Sequence, residues 1–353
     1  MGKRKKIILI ILSVSIAICL FCIGLAFTYI NKQWKQIEHI KIEATDIETN
    51  SYAQKEVSYH EEIQTGTRTI AIFGVDANNT KQLTQDTNSD VILIISIDNA
   101  TKQARIVSVY RDTWLCMPNG NYNKANSAML TSATNAMNML NRNLDLQITD
   151  YIALNWAAIA DAVNCLGGLD DIDVTEAMMK EINGYITNVA ESTHIGTSHL
   201  EHGGVQTLDG VQVVAYCRLR HQDNDFLRTA RQREVIAKIL VKAKNANLAT
   251  LYDLINIVTP NIAMTLDSEE LITLAQSIHK FSIEKSTGFP FTKYTEEFVG
   301  DIKTNWPVLP VDLAYNVKEL HKFLYDAQDY DPSSVVMNLS EEISKQSGIY
   351  ANN

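Results

Sequence analysis

The chain reads as an α/β protein: a single mixed β-sheet sandwiched by α-helices, preceded by one transmembrane helix. Three observations predict this. Segments of strand and helix character mix from residue 67 to residue 335 without an internal repeat. One of them, Val91 to Ile97, is a continuous apolar run, the pattern of a strand buried on both faces. An uncharged apolar run of 24 residues, Ile7 to Ile30, stands apart at the N-terminus. That is long enough to cross a hydrocarbon core of about 30 Å.

The elements follow in chain order. Residues 1–6, Met-Gly-Lys-Arg-Lys-Lys, are basic, which places them in the cytoplasm and everything after residue 30 outside. A cleavable signal peptide has a shorter apolar core, about 7–15 residues, so the span 7–30 is expected to stay as a signal anchor in the cell membrane. Residues 31–66 are polar and mixed in charge and read as a stalk. The folded domain is expected over 67–335, with strands at Arg68–Val75, Val91–Ile97 and Arg105–Tyr110, the last two antiparallel across the turn 98–103. Helices are expected over 126–143 and 155–165, the second stopped by Gly167-Gly168. A short strand at Ile172–Val174 follows, then an irregular insertion over 177–206. Leu208–Tyr216 fits helix or strand. Helices are expected over 226–244, 248–257, 268–281 and 315–325, and residues 336–353 read as a polar tail.

The whole chain carries a net charge of −10, and removing residues 1–30 takes away four basic groups and no acidic one, so the remainder is more acidic still. That argues against nucleic acid as a partner. Against this background five arginines fall within sixteen residues: Arg218, Arg220, Arg228, Arg231 and Arg233. Arginine is the side chain for forked recognition of phosphate and carboxylate. At helical spacing Arg228, Arg231 and Gln232 share a stripe with the apolar Val235 and Ile239, so the arginines continue the core-facing side. They also occupy the first turns, where the helix dipole disfavours cations and favours an anion. The plainer alternative is pairing with Asp209, Asp223 and Asp225.

Asp76 and Asp90 flank a thirteen-residue loop between two strands. Two carboxylates beside an anion site suit Mg²⁺ bridged to phosphate oxygens, although a lone aspartate at a strand end is more often a turn or cap residue. Arg111-Asp112 ends another strand. Lys124, in Asn-Lys-Ala-Asn, adds a phosphate contact or is a solvated lysine. His221 lies within the arginine run, and His199 and His202 in the insertion. Of five cysteines, Cys19 and Cys22 sit in the span, while Cys116, Cys165 and Cys217 lie outside it with no metal-type spacing. One disulfide or three buried thiols fit equally.

Taken together these blocks resemble the LytR-CpsA-Psr family of bacterial envelope proteins. They are Ile70-Ala-Ile-Phe-Gly-Val-Asp76, Ser89-Asp90, Ser108-Val-Tyr-Arg-Asp-Thr113, Asn123-Lys-Ala-Asn126, Val163-Asn-Cys-Leu-Gly-Gly168, Leu208-Asp-Gly210, Tyr216-Cys-Arg-Leu-Arg220 and Asp225-Phe-Leu-Arg-Thr-Ala-Arg-Gln232. The resemblance runs from about Thr69 to Pro332 and implies a Mg²⁺-assisted phosphotransferase on the outer face of the cytoplasmic membrane. Its members move an anionic glycopolymer, such as a teichoic acid or capsular polysaccharide, from polyprenyl pyrophosphate to peptidoglycan. Carried onto this chain, Arg218, Arg220, Arg228, Arg231, Gln232 and Lys124 would hold the diphosphate, and Asp76 and Asp90 the Mg²⁺. Arg111 would belong to the catalytic set, and Asp112 or Asp225 would orient the acceptor hydroxyl. The chain departs from the family pattern at three places. It has Asn78 or Asn79, and Asn88, where arginines are usual, and Tyr110 where proline precedes Arg-Asp. Two head-group arginines are therefore missing, which leaves open a precursor-binding or regulatory role without turnover. A pyrophosphate hydrolase needs only water as acceptor.

Overall fold

The computed structural model describes residues 38–50, 66–77, 80–220, 225–267, 270 and 277–351, without the side chains of 38, 39, 80, 81, 225 and 248. The expected cytoplasmic segment, the span 7–30, Asn78, Asn79 and His221 lie outside these residues, as does most of the helix expected over 268–281. Among the described residues no helix is long and apolar enough to cross a membrane.

The strands are β1 Glu38–His39, β2 Thr67–Val75, β3 Ser89–Asp98, β4 Gln103–Val109, β5 Trp114–Cys116, β6 Tyr122–Lys124, β7 Asp150–Asn155, β8 Leu169–Val174, β9 Gly204–Leu208, β10 Ile262–Met264, β11 Ser282–Phe289, β12 Lys293–Tyr294 and β13 Leu309–Pro310. The α-helices are α1 Ala133–Leu144, α2 Trp156–Cys165, α3 Glu176–Thr193, α4 Gly210–Cys217, α5 Asp225–Asn245, α6 Leu248–Val258, α7 Leu313–Tyr325 and α8 Ser334–Ser347. Seven strands form one mixed sheet in the order β1-β10-β7-β2-β3-β4-β11. The apolar run in β3 is flanked by β2 and β4, both antiparallel to it, and Ile92, Leu93 and Ile94 are buried in succession, as a strand covered on both faces requires. Ala71, Phe73 and Val75 join the core cluster that includes Met137, Leu140, Val317 and Leu320 from α1 and α7. A second cluster gathers α2, α3, α4 and the Val235 turn of α5. The predicted mixed sheet with packed helices is borne out.

Four local expectations differ from the structure. The helix expected over 126–143 is a 3-10 segment, Ala125–Leu130, followed by α1; Ser132 accepts from the Asn135 amide at 3.0 Å and starts a new helix there. The irregular insertion 177–206 contains the 18-residue α3, capped by Thr175 and buried through Ile182, Ile186 and Val189 at helical spacing. In the expected tail 336–353, the described residues, 336–351, are not loose. They carry most of α8, whose Val336, Leu339 and Ile343 enter the core on one face while its polar face dominates the composition. Within the expected stalk, β1 extends the sheet beside β10, and Asn50 bonds to Asp145. The ambiguous stretch 208–216 is helical because Asp209 and Gln212 form a reciprocal capping box ahead of α4.

Candidate functional site

Strand directions gather the candidate residues at one end of the sheet. β2 runs out at Val75, whose partner is Ser89 at the start of antiparallel β3, so Asp76 and Asp90 leave the sheet at the same end. The register slips there: Gly74 faces Val91 and Val75 faces Ser89, which leaves Asp90 as the extra residue of a bulge. Bulges re-aim a side chain out of the ladder. β4 is antiparallel to β3 and delivers Tyr110-Arg111-Asp112 to that end, and β11, parallel to β4, delivers the segment after Phe289.

A ladder of alternating charge results. Arg111 Nη1 lies 2.7 Å from Asp90 Oδ1, Arg111 Nε lies 3.3 Å from Asp112 Oδ2, and Lys124 Nζ lies 3.0 Å from Asp112 Oδ1. Backbone bonds fix the rungs. The Ala125 amide donates to the Thr113 carbonyl at 2.8 Å and the Asn126 amide to the Arg111 carbonyl at 2.9 Å, so the Asn-Lys-Ala-Asn run docks onto the Arg-Asp-Thr run. Lys124 thus has its ammonium on Asp112. Asp76 is exposed and forms no ion pair among the described residues.

The expected inward face of α5 is present. Arg228, Arg231, Gln232 and Val235 are 3%, 8%, 4% and 2% exposed, so the two guanidinium groups are buried beside the apolar stripe. Arg231 Nη2 donates to the Leu219 carbonyl at 2.9 Å and its guanidinium carbon lies 5.6 Å from the Tyr216 ring centroid, while Gln232 Nε2 donates to the Cys217 carbonyl at 3.4 Å. These bonds serve carbonyls at the C-terminal end of α4, which have no helical acceptor role to fill. Gln232 Oε1 and Arg233 Nη1 remain buried with no hydrogen bond. Burial lowers the Arg233 guanidinium below the ordinary arginine value, with Tyr110 acting in the opposite sense.

Not all five arginines converge. Arg218 reaches α3, donating to Asn188 Oδ1 at 3.1 Å and lying 5.7 Å from the Tyr185 ring centroid, and Arg220 is exposed. Neither is brought by these contacts to the Arg111 ladder. Asp209 spends its carboxylate on the Gln212 amide and the Thr197 hydroxyl, so it caps α4 and does not neutralise the cluster. The side chain of Asp225 lies outside the described residues. Cys116, Cys165 and Cys217 are free thiols. Burial pushes Cys217 up to about 12, which makes it inert as a nucleophile. Among the described residues no three His, Cys, Asp or Glu side chains group as a metal site.

No pattern in the residues points to the aromatic corner between the ladder and α5. Tyr110 and Phe226 meet edge to face, ring centroids 4.6 Å apart. Lys293 Nζ lies 4.7 Å from the Phe226 centroid and 5.3 Å from that of Tyr110. A Cβ on Gly288 would come within 2.1 Å of the Tyr110 hydroxyl, so the tyrosine fits only because residue 288 is glycine. Aromatic residues and one lysine spread over three distant segments carry no periodicity or spacing that would have linked them.

The fold has counterparts. A solved structure titled "TagT bound to LIIa-WTA" superposes with a TM-score of 0.55 at 19% identity, covering 88% of this chain and all of the other. A Streptococcus agalactiae protein gives 0.60 at 21% identity over 78% of this chain and 92% of its own. By sequence, the chain is 25% identical over 280 residues to the polyisoprenyl-teichoic acid–peptidoglycan teichoic acid transferase TagU of Enterococcus faecalis, 78% of this chain and 84% of the relative. It is 26% identical over 238 residues to the enzyme TagT of Bacillus subtilis, 65% and 69% respectively. Residues 34–302 match the LytR_cpsA_psr family, a stretch that holds the bulged Asp90, the Arg111 ladder and the inward face of α5, and the chain belongs to that family.

Proposed function

We propose that this chain transfers an anionic glycopolymer, a teichoic acid or a capsular or secondary wall polysaccharide, from a polyprenyl pyrophosphate carrier to peptidoglycan, forming a phosphodiester. The observation that carries the reading is the family match over residues 34–302. It is supported by relatives named as teichoic acid transferases and by a site built from charges suited to a diphosphate.

In this reading an acceptor sugar hydroxyl attacks the phosphorus that bears the glycopolymer. The bond from that phosphorus to the bridging oxygen breaks, and polyprenyl phosphate leaves. The protein's part is positioning and charge neutralisation. Arg228 and Arg231 bind the diphosphate from the inward face of α5, with Arg218, Arg220, Gln232 and Lys124 as further contacts once ligand is present. Arg111 holds Asp90 and Asp112 in line and adds positive charge beside the leaving oxygen. Asp112, or Asp225, orients the acceptor hydroxyl and takes its proton.

Asp76 and Asp90 suit Mg²⁺. Mg²⁺ binds through one or two carboxylates, waters and substrate phosphate rather than a full protein cage. An exposed Asp76 and a bulged Asp90 on neighbouring strand ends fit that donor set. The ion would supply charge neutralisation at the phosphate oxygens.

Residues 7–30 would anchor the protein in the cell membrane, with 1–6 inside and 31–353 on the wall side; protease added to intact protoplasts should then digest the ectodomain, and full protection excludes this topology. Turnover is tested with a labelled lipid-linked donor and peptidoglycan. Label in the glycan fraction supports transfer. Asn88, in place of a usual arginine, favours a second reading as a precursor binder: tight donor binding with no label transferred. Release of soluble phosphate without acceptor marks a hydrolase.

A further inference from the structure

Near the end of the sheet lies a lysine, Lys293, that no described residue pairs with a carboxylate. Lys293 opens β12, just beyond the turn that follows β11. Among the described residues its Nζ meets the Pro290 carbonyl, at 3.5 Å, and lies against the faces of Tyr110 and Phe226. An ammonium laid against aromatic faces keeps its charge while losing water. Burial is the cause that lowers its pKa, and no carboxylate acts to raise it. A charge held this way, half-buried against aromatic faces, interacts more strongly with an anion that reaches it than a fully solvated one would.

The neighbours of this lysine define what can reach it. Tyr110 is followed directly by Arg111, which carries Asp90 and Asp112. Phe226 lies at the start of α5, seven residues before Arg233 and so on the same side of that helix, and the Arg233 guanidinium, with its Nη1 buried and unbonded, feels Tyr110. Lys293 therefore stands between the segment that carries the ladder and the Arg233 side of α5. Tyr110 shapes the corner, and Gly288 makes room for it.

We propose that Lys293, presented by Tyr110 and Phe226, is an anion subsite for a phosphate of the polyprenyl pyrophosphate donor. The inference rests on the functional reading above and adds to it a residue and a ligand atom class. The subsite contributes binding and orientation and no proton to the reaction.

The test uses the full chain in detergent micelles with octaprenyl pyrophosphate as probe, followed by titration calorimetry. Lys293→Met keeps the apolar stem and loses the charge, and Lys293→Gln is the alternative if Met perturbs packing. Loss of one charge-assisted contact should weaken binding about tenfold or more, with Lys293→Arg staying close to wild type. Wild-type affinity should fall as pH rises from neutral towards about 10, as the lysine loses its proton, and Lys293→Arg should show no such fall. A purely structural lysine would change the melting temperature and leave affinity and its pH profile in place. If Lys293→Met binds the probe like wild type while Arg231→Ala does not, the inference is overturned and the functional reading stands. If neither variant loses affinity, both are overturned.

Discussion

Asp145 and Gln232 are both buried polar side chains, and the protein treats them in opposite ways. Asp145, at the end of α1, is 0% exposed and accepts four hydrogen bonds: from Asn50 Nδ2 at 2.5 Å, Tyr330 Oη at 2.8 Å, the Ser333 amide at 2.7 Å and Ser333 Oγ at 2.6 Å. His321 stacks on Tyr330 with ring centroids 3.7 Å apart and its Nε2 meets the Leu144 carbonyl at 2.9 Å. This cluster ties the segment before β2, the end of α1 and the start of α8 together, and its carboxylate has no capacity left over. On α5, Gln232 Oε1 and Arg233 Nη1 are buried with no hydrogen bond. Buried polar groups in folded proteins are almost always satisfied. A network closed on itself builds the fold. Buried atoms left with capacity are the kind that an incoming polar group can satisfy.

The largest effect should come from breaking the closed cluster. Asp145→Ala leaves the donors of Asn50, Tyr330 and Ser333 without an acceptor, and unfolding in urea should show a loss of roughly 3 kcal/mol or more. The fraction still folded should bind donor normally. If stability is unchanged, the contrast between the two clusters is wrong.

Arg231→Ala tests the open cluster. Donor affinity should fall by about 1.5–3 kcal/mol, roughly tenfold or more, read by calorimetry in a protein whose circular dichroism is unchanged. Unaltered affinity would mean that Arg231 serves the packing of the protein, its Leu219 carbonyl and Tyr216 contacts included, and not the donor.

Asp90→Asn sharpens the comparison further, because Asp90 has both an ion-pair role and a proposed metal role. Its pair with Arg111 is partly exposed, so the stability cost should stay within about 1 kcal/mol. Turnover should drop and the Mg²⁺ requirement should rise. An unshifted Mg²⁺ titration leaves the ion pair as its whole function.

The smallest effect concerns Lys293. Burial holds its folded pKa below the ordinary lysine value. Between the two values the unfolded chain binds more protons than the folded one, so stability rises with pH across that window and is unaffected below it. In Lys293→Met this alkaline rise in the urea midpoint should flatten. An unchanged slope would show that the lysine is not desolvated.

Much of this protein was legible in its residues. The apolar run of β3, the turn after it and the amphipathic stripe of α5 are local patterns, set by periods of two and of 3.6 residues that any reader of the chain can count. That Arg228, Arg231 and Gln232 face inward follows from the same period, because they share a stripe with Val235. The segment 177–206 was harder, since the apolar residues of α3 are diluted by polar ones and interrupted by Gly184. α8 was hidden because its buried positions are few and its exposed face is polar.

What tertiary structure alone decided is which distant pieces share a corner. The bulge that singles out Asp90, the partition of Arg218 and Arg220 away from Arg228 and Arg231, and the meeting of Tyr110, Phe226, Gly288 and Lys293 depend on strand register and on the direction in which β11 runs beside β4. Sequence spacing sets the local turn and the face of a helix through backbone geometry. It carries no information about contacts made across more than a hundred residues, where packing of the whole sheet sets the distances.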